Sequence, residues 1–180
     1  MSTLAWLLAG LIAVLNPTFV LPSSTPGPDL AHIGVHQVQP PAALPGFKQV
    51  FAGTPKQIGL KGGTLSPCPD SPNCVVSQTA DPDHAIAPIA YQTDRETAYA
   101  TLLDILSVVP RTEIIEQDDS YIRAESSSRL MGFVDDVEFY LPSEQNVIHM
   151  RSASRLGESD LGVNRRRLEQ IRLAAQDLGL

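Results

Sequence analysis

Apolar and polar residues alternate along three consecutive stretches in the second half of the chain. In YIRAESSS, Ile122 and Ala124 alternate with Arg123 and Glu125. In FVDDVEFYL, Phe133, Val137 and Phe139 share one parity with Asp135, while Val134, Asp136, Glu138 and Tyr140 take the other. In VIHMRSA, Ile148 and Met150 alternate with His149 and Arg151. A period of two is the mark of a strand with one buried face. The connections, Arg129 to Gly132 and Pro142 to Gln145, are short, which predicts antiparallel neighbours. Thr112 to Gln117 reads as a further strand that turns at Asp118 and Asp119 into Tyr121.

On either side of these strands the period changes to that of a helix. Tyr99, Leu102, Leu103 and Leu106 form a helical stripe, with Thr93 and Glu96 in a capping-box spacing and Pro110 as the stop. After the last strand, Leu161, Leu168, Ile171, Ala175 and Leu178 supply a second stripe, which Ser159 or Asp160 can cap. Arg165, Arg166 and Arg167 fall near the start of this helix, where the dipole disfavours cations, so acidic groups are expected close by. The sum is an α+β domain: an antiparallel four-stranded meander sheet with a helix before and a helix after it, packed on one face.

Aligning the apolar faces puts the charged residues of the strands on the opposite face. One register sets Arg123 beside Glu138 and His149, with Glu125, Asp136 and Arg151 in the next row. Glu125 and Asp136 are then like charges side by side, which requires a nearby cation; Arg151 is expected to supply it. Such a face is either solvated and held by weak surface ion pairs, or preorganised for a ligand or partner.

The first half of the chain is different in kind. Residues 1–21 carry the apolar run Leu4 to Leu15, broken by Asn16 and Pro17, and read as a signal peptide or N-terminal anchor. Residues 22–50 are rich in proline and read as a linker. His32 and His36 lie in it four residues apart and are read as solvated linker histidines rather than as metal ligands on a helix face. A single domain is expected over residues 51–180, with Phe47, Val50 and Phe51 docking the end of the linker. Cys68 and Cys74 share one short, turn-rich loop, SPCPDSPNC. In an exported chain a disulfide is the natural reading; a metal pair completed by His84 or Asp81 is the alternative, at poor spacing for zinc.

Composition narrows the function. A formal net charge of −7 and 6% aromatic residues argue against nucleic acid, which needs a basic field or a stacking platform. Gly59, Gly62 and Gly63 form no phosphate loop. No GxSxG elbow occurs, and Ser126, Ser127, Ser128 and His149 are not spaced as a triad.

Four stretches in order, PCPDSPNCVVSQ, DPDHAIAPI, YIRAESSSRLMGFVDDVEFYL and RSASRLGESDLGVNRRRLEQIR, resemble the domain of unknown function 1499 family over about Phe51 to Ala175. FAGTPKQIGLKGGTL, before the cysteine loop, is most similar to the cyanobacterial or plastid branch. The resemblance implies the domain type and no activity, cofactor or metal. The expectation is an exported module, in a periplasm or thylakoid lumen, that binds a protein or small ligand without catalysis. Membrane contact is expected only through an uncleaved N-terminal segment. The candidate surface is Arg123, Glu125, Asp136, Glu138, His149 and Arg151, with Arg155, Asp160, Asn164 and Arg165 from the following segment. The alternative is a small acid–base or hydrolase-like enzyme using Glu138, His149, Asp136 and Arg151.

Overall fold

A computed structural model describes residues 51–78 and 80–180. The expected signal or anchor, the linker and its two histidines lie outside the described residues. Four short strands come first: β1 (Leu60–Lys61), β2 (Thr64–Leu65), β3 (Cys74–Val76) and β4 (Ile89–Ala90). Helix α1 (Arg95–Val108) follows, then β5 (Thr112–Gln117), β6 (Tyr121–Ser127), β7 (Val134–Tyr140), β8 (Val147–Ser154) and helix α2 (Val163–Asp177).

The sheet is larger than the four-stranded meander expected. Strands β5 to β8 do form a meander, but both β3 and β4 add antiparallel to the outer edge of β8, giving six strands in one sheet. The four early strands have two or three residues each, too few to show alternation. The β1–β2 hairpin forms a separate two-stranded sheet. Its turn is Gly62–Gly63, both at positive φ, the backbone that a two-residue hairpin turn demands.

Side-chain parity divides the sheet as the alternation predicts. Ile122, Val137, Phe139, Ile148 and Met150 join Ala98, Leu102, Ile105 and Leu106 of α1 and Leu168, Ile171 and Ala175 of α2 in one core. Each large side chain buried there contributes about 1.5–3 kcal/mol. The cap of α1 is Asp94 rather than Thr93: its carboxylate accepts from the Thr97 amide at 2.8 Å and the Thr97 hydroxyl at 2.7 Å. Two residues placed in the stripe of α2 lie outside the core, Leu161 at 84% and Leu178 at 61% exposure. Leu161 precedes the helix with φ of 54°, and Leu178 is its C-cap. Asp160 holds the helix start, accepting from the amides of Gly162 and Asn164.

The three arginines at that start are compensated mostly by carbonyl oxygens. Arg165 donates to the carbonyls of Ala85 and Asp83, and Arg166 to that of Leu161. Arg167 reaches the sheet and donates to Asp135 at 2.6 Å. Cys68 and Cys74 are joined by a disulfide, so the loop between them is closed covalently. No helix among the described residues is long and apolar enough to cross a membrane.

Candidate functional site

The second face of the sheet carries the charges, and it is roofed. Leu65 of β2 packs with Val76 and Tyr121, and Leu60, Cys68, Ala80 and Tyr140 close around them. The Gly59 amide, just before the hairpin, donates to Glu138 at 2.6 Å. Gly53 lies so close to the chain after β8 that a Cβ there would meet Leu156 Cγ at 2.9 Å and Arg155 Cβ at 3.0 Å. Phe51 stacks edge-on against Phe133, with centroids 5.3 Å apart. Neither Phe47 nor Val50 is among the described residues.

Beneath this roof three of the charged residues are interior groups. Glu138 is 0%, Arg151 1% and Asp136 2% exposed. Isolated charges at such depth are unaffordable, so each must find an opposite charge or several donors. Glu138 Oε2 accepts from Arg151 Nη1 at 2.7 Å, while Oε1 accepts from the Gly59 amide and from Tyr121 Oη at 2.7 Å. Asp136 is held by Arg155 through Nε and Nη2, each at 2.8 Å, and by Arg123 Nη1 at 3.2 Å. Arg155 also bonds Glu125, and a register shift between Ile114 and Glu116 brings Glu116 opposite Arg123.

The pairing of β6 with β7 is the one read from the sequence, Arg123 opposite Glu138 and Glu125 opposite Asp136. That of β7 with β8 differs by two residues. Arg151 faces Glu138, His149 faces Tyr140, and Ala153 faces Asp136. The cation demanded by the acidic pair is therefore Arg155, with Arg123, and not Arg151. A slip of two residues keeps every side chain on its own face, so alternation cannot detect it.

Burial and the Glu138 carboxylate push the Tyr121 phenol far above its ordinary value. The Arg155 guanidinium is pushed up by its hydrogen bonds to Asp136, with burial opposing. Arg151, not His149, stands opposite Glu138, and among the described residues no hydrogen bond joins Glu138 to His149. His149 Nδ1 shares a hydrogen bond of 3.2 Å with the Ser77 hydroxyl, which also accepts from the Met150 amide at 2.8 Å. Burial holds the His149 imidazole below its usual range.

The network opens at one end. A polar cavity of about 150 Å³ lies where Asp136, Arg151 and Arg155 meet Lys56, Ser71 and Glu158. Arg151 Nε is buried and has no hydrogen-bond partner among the described residues. Asn164 stands behind this end as a structural clamp. It is 1% exposed, donates to the Asn73 carbonyl and Ser154 hydroxyl at 2.9 Å each, and accepts from Arg167 Nη1 at 2.7 Å. Of the candidate residues, Asp160 and Arg165 serve the start of α2 and the loop after β3.

Sequence reasoning missed the roof, and with it Lys56, Gly59 and Tyr121. Gly62–Gly63 between Leu60 and Leu65 was its legible trace. Among the described residues no group of three or more His, Cys, Asp or Glu side chains is placed to hold a metal ion. Asp81 and His84, weighed as metal ligands, bond each other at 2.7 Å.

A comparison with curated proteins returned no match. A family model described as "Protein of unknown function (DUF1499)" matches residues 64–174, which span β2 through most of α2 and include the network apart from its lid segment before Thr64. The chain belongs to the DUF1499 family.

Proposed function

We propose that this chain is an exported, non-catalytic binding module, and that the charged sheet face receives a small anionic ligand at its open end. The observation that carries this reading is Arg151, a buried guanidinium that lines the cavity and whose Nε has no hydrogen-bond partner among the described residues. A buried donor without an acceptor costs about 1–3 kcal/mol, and an incoming anion would relieve that cost with help from Lys56. Arg155 and Asp136 fix the cavity wall through their paired hydrogen bonds. Titration of the oxidised full-length chain with phosphate, sulfate and succinate tests it, followed by calorimetry and by arginine side-chain NMR signals. Binding that weakens in Lys56→Gln, with an unchanged unfolding midpoint, is the expected result. No heat and no shift at Arg151 or Arg155 with any of the three would sink the reading.

Export rests on the apolar run Leu4 to Leu15 and the Cys68–Cys74 bond. Cell fractionation with mass determination of the N-terminus tests it; a cytoplasmic chain with two free thiols would refute it.

One contact favours a second reading, a small hydrolase. The Ser77 hydroxyl lies 3.2 Å from the His149 imidazole, whose proton affinity burial lowers. If Ser77 were a nucleophile with His149 as its base, a fluorophosphonate probe would label it and His149→Ala would abolish labelling. The binding reading expects no labelling of either protein.

A further inference from the structure

A second cavity lies on the other side of the sheet, between the two helices. It measures about 590 Å³ and is walled by Ile105, Val108 and Pro110 on one side and Ile171, Ala174 and Leu178 on the other. Ile105 and Ile171 form its floor at 3% and 2% exposure, while Val108 at the lip is 77% exposed. This is the size of a small-molecule site and well above the polar cavity of the charged face.

The electrostatics of the mouth select the occupant. Both helices end here, α1 at its C-cap Val109 and α2 at its C-cap Leu178. A helix C-terminus carries a partial negative charge that lysine or arginine in the last turn ordinarily offsets. Neither helix has a basic residue in its last turn. Asp104 and Asp177 add two carboxylates to the same walls. The cation present, Arg167, is turned to the sheet and committed to Asp135, Ser152 and Asn164. An apolar trough with an acidic lip complements a molecule with an apolar body and a positive head.

We propose that the groove between α1 and α2 binds a small cationic amphiphile, its chain on Ile105, Ile171 and Ala174 and its head beside Asp104 and Asp177. The proposal is independent of the anion site, which lies on the opposite face of the sheet and shares no residue with it.

Three probes with one ten-carbon chain test it: decyltrimethylammonium, decanoate and decanol, each below its micelle-forming concentration, titrated into the full-length protein. The ammonium is expected to bind in a saturable way and more tightly than the other two. Ala174→Phe, which fills the trough, should abolish binding. Asp104→Asn and Asp177→Asn keep the shape and remove charge, and each should weaken the ammonium by roughly two- to tenfold. Equal binding of all three probes would overturn the assignment of a cation. Binding that survives Ala174→Phe would overturn the site, as would sedimentation showing a dimer that Val108→Asp dissolves. Midpoints of unfolding, measured for every variant, separate lost binding from lost structure.

Discussion

Glu138 and Arg151 face each other across β7 and β8, joined by a 2.7 Å hydrogen bond in a place where neither side chain touches solvent. Glu138 fills its remaining capacity with the Gly59 amide and Tyr121 Oη, whereas Arg151 has a donor to spare. The asymmetry makes the carboxylate an anchor for the roof and leaves the arginine with one unused donor.

Removing Arg151 therefore strands a buried carboxylate. Arg151→Ala is expected to cost about 3–5 kcal/mol of stability. A double-mutant cycle by denaturant unfolding should place the coupling with Glu138→Gln and leave Asp136→Asn additive. Coupling to Asp136 of the size seen for Glu138 would contradict the pairing.

Arg155 does the work that Arg151 was expected to do. It approaches Asp136 with two nitrogens of its fork and reaches Glu125 as well. Lysine keeps the charge and loses the fork. Arg155→Lys should lose roughly 1–3 kcal/mol, and Arg155→Ala more; equal stability of Arg155→Lys and wild type would show that charge alone suffices.

The strands β5 to β8 were legible because six to eight residues each suffice to display a period of two. Face assignment was legible for the same reason, and so was the demand of Glu125 and Asp136 for a cation. The register of β7 on β8 was not, because it depends on the conformation of residues 141–146 and a two-residue slip preserves parity. Burial of the charged face was hidden for a different reason. It depends on a hairpin of two-residue strands more than fifty residues earlier, whose glycines and lone leucines give almost no periodic signal. Asn164 was named as a binding residue; its environment shows a polar side chain used to tie α2 to β8 and the cysteine loop.

The two described histidines should oppose each other in pH dependence. The hydrogen bond to Asp81, with a second to the Ser71 carbonyl, raises the His84 value above 6.5 against the pull of burial. Its contribution is complete below pH 6.5 and is lost as pH rises through the higher folded-state value. Burial lowers the His149 value below 6.5, so its contribution is present above that pH and lost on acidification. Unfolding midpoints between pH 5 and 8 check this. The deficit of His84→Gln should shrink towards alkaline pH, and that of His149→Gln should shrink towards acid.

Opening the Cys68–Cys74 loop should cost roughly 2–3 kcal/mol through the entropy of the unfolded chain. Cys68→Ser and Cys74→Ser together, compared with the oxidised wild type in denaturant, measure it. A change below about 0.5 kcal/mol would show that the Asn73 and Asn164 contacts hold the loop without the bond.

The paired charges of the sheet sum to zero. Arg123, Arg151 and Arg155 stand against Glu125, Asp136 and Glu138, and Arg167 stands against Asp135. The formal charge of −7 is therefore carried by residues outside this set. Dissolved ions screen exposed charges within about 10 Å at 0.1 M and reach dry ones poorly. The protein consequently has two electrostatic compartments. Salt relaxes the repulsion of its acidic exterior while leaving the buried pairs of Arg151 with Glu138 and Arg155 with Asp136 nearly untouched, so added salt should stabilise this domain rather than loosen it.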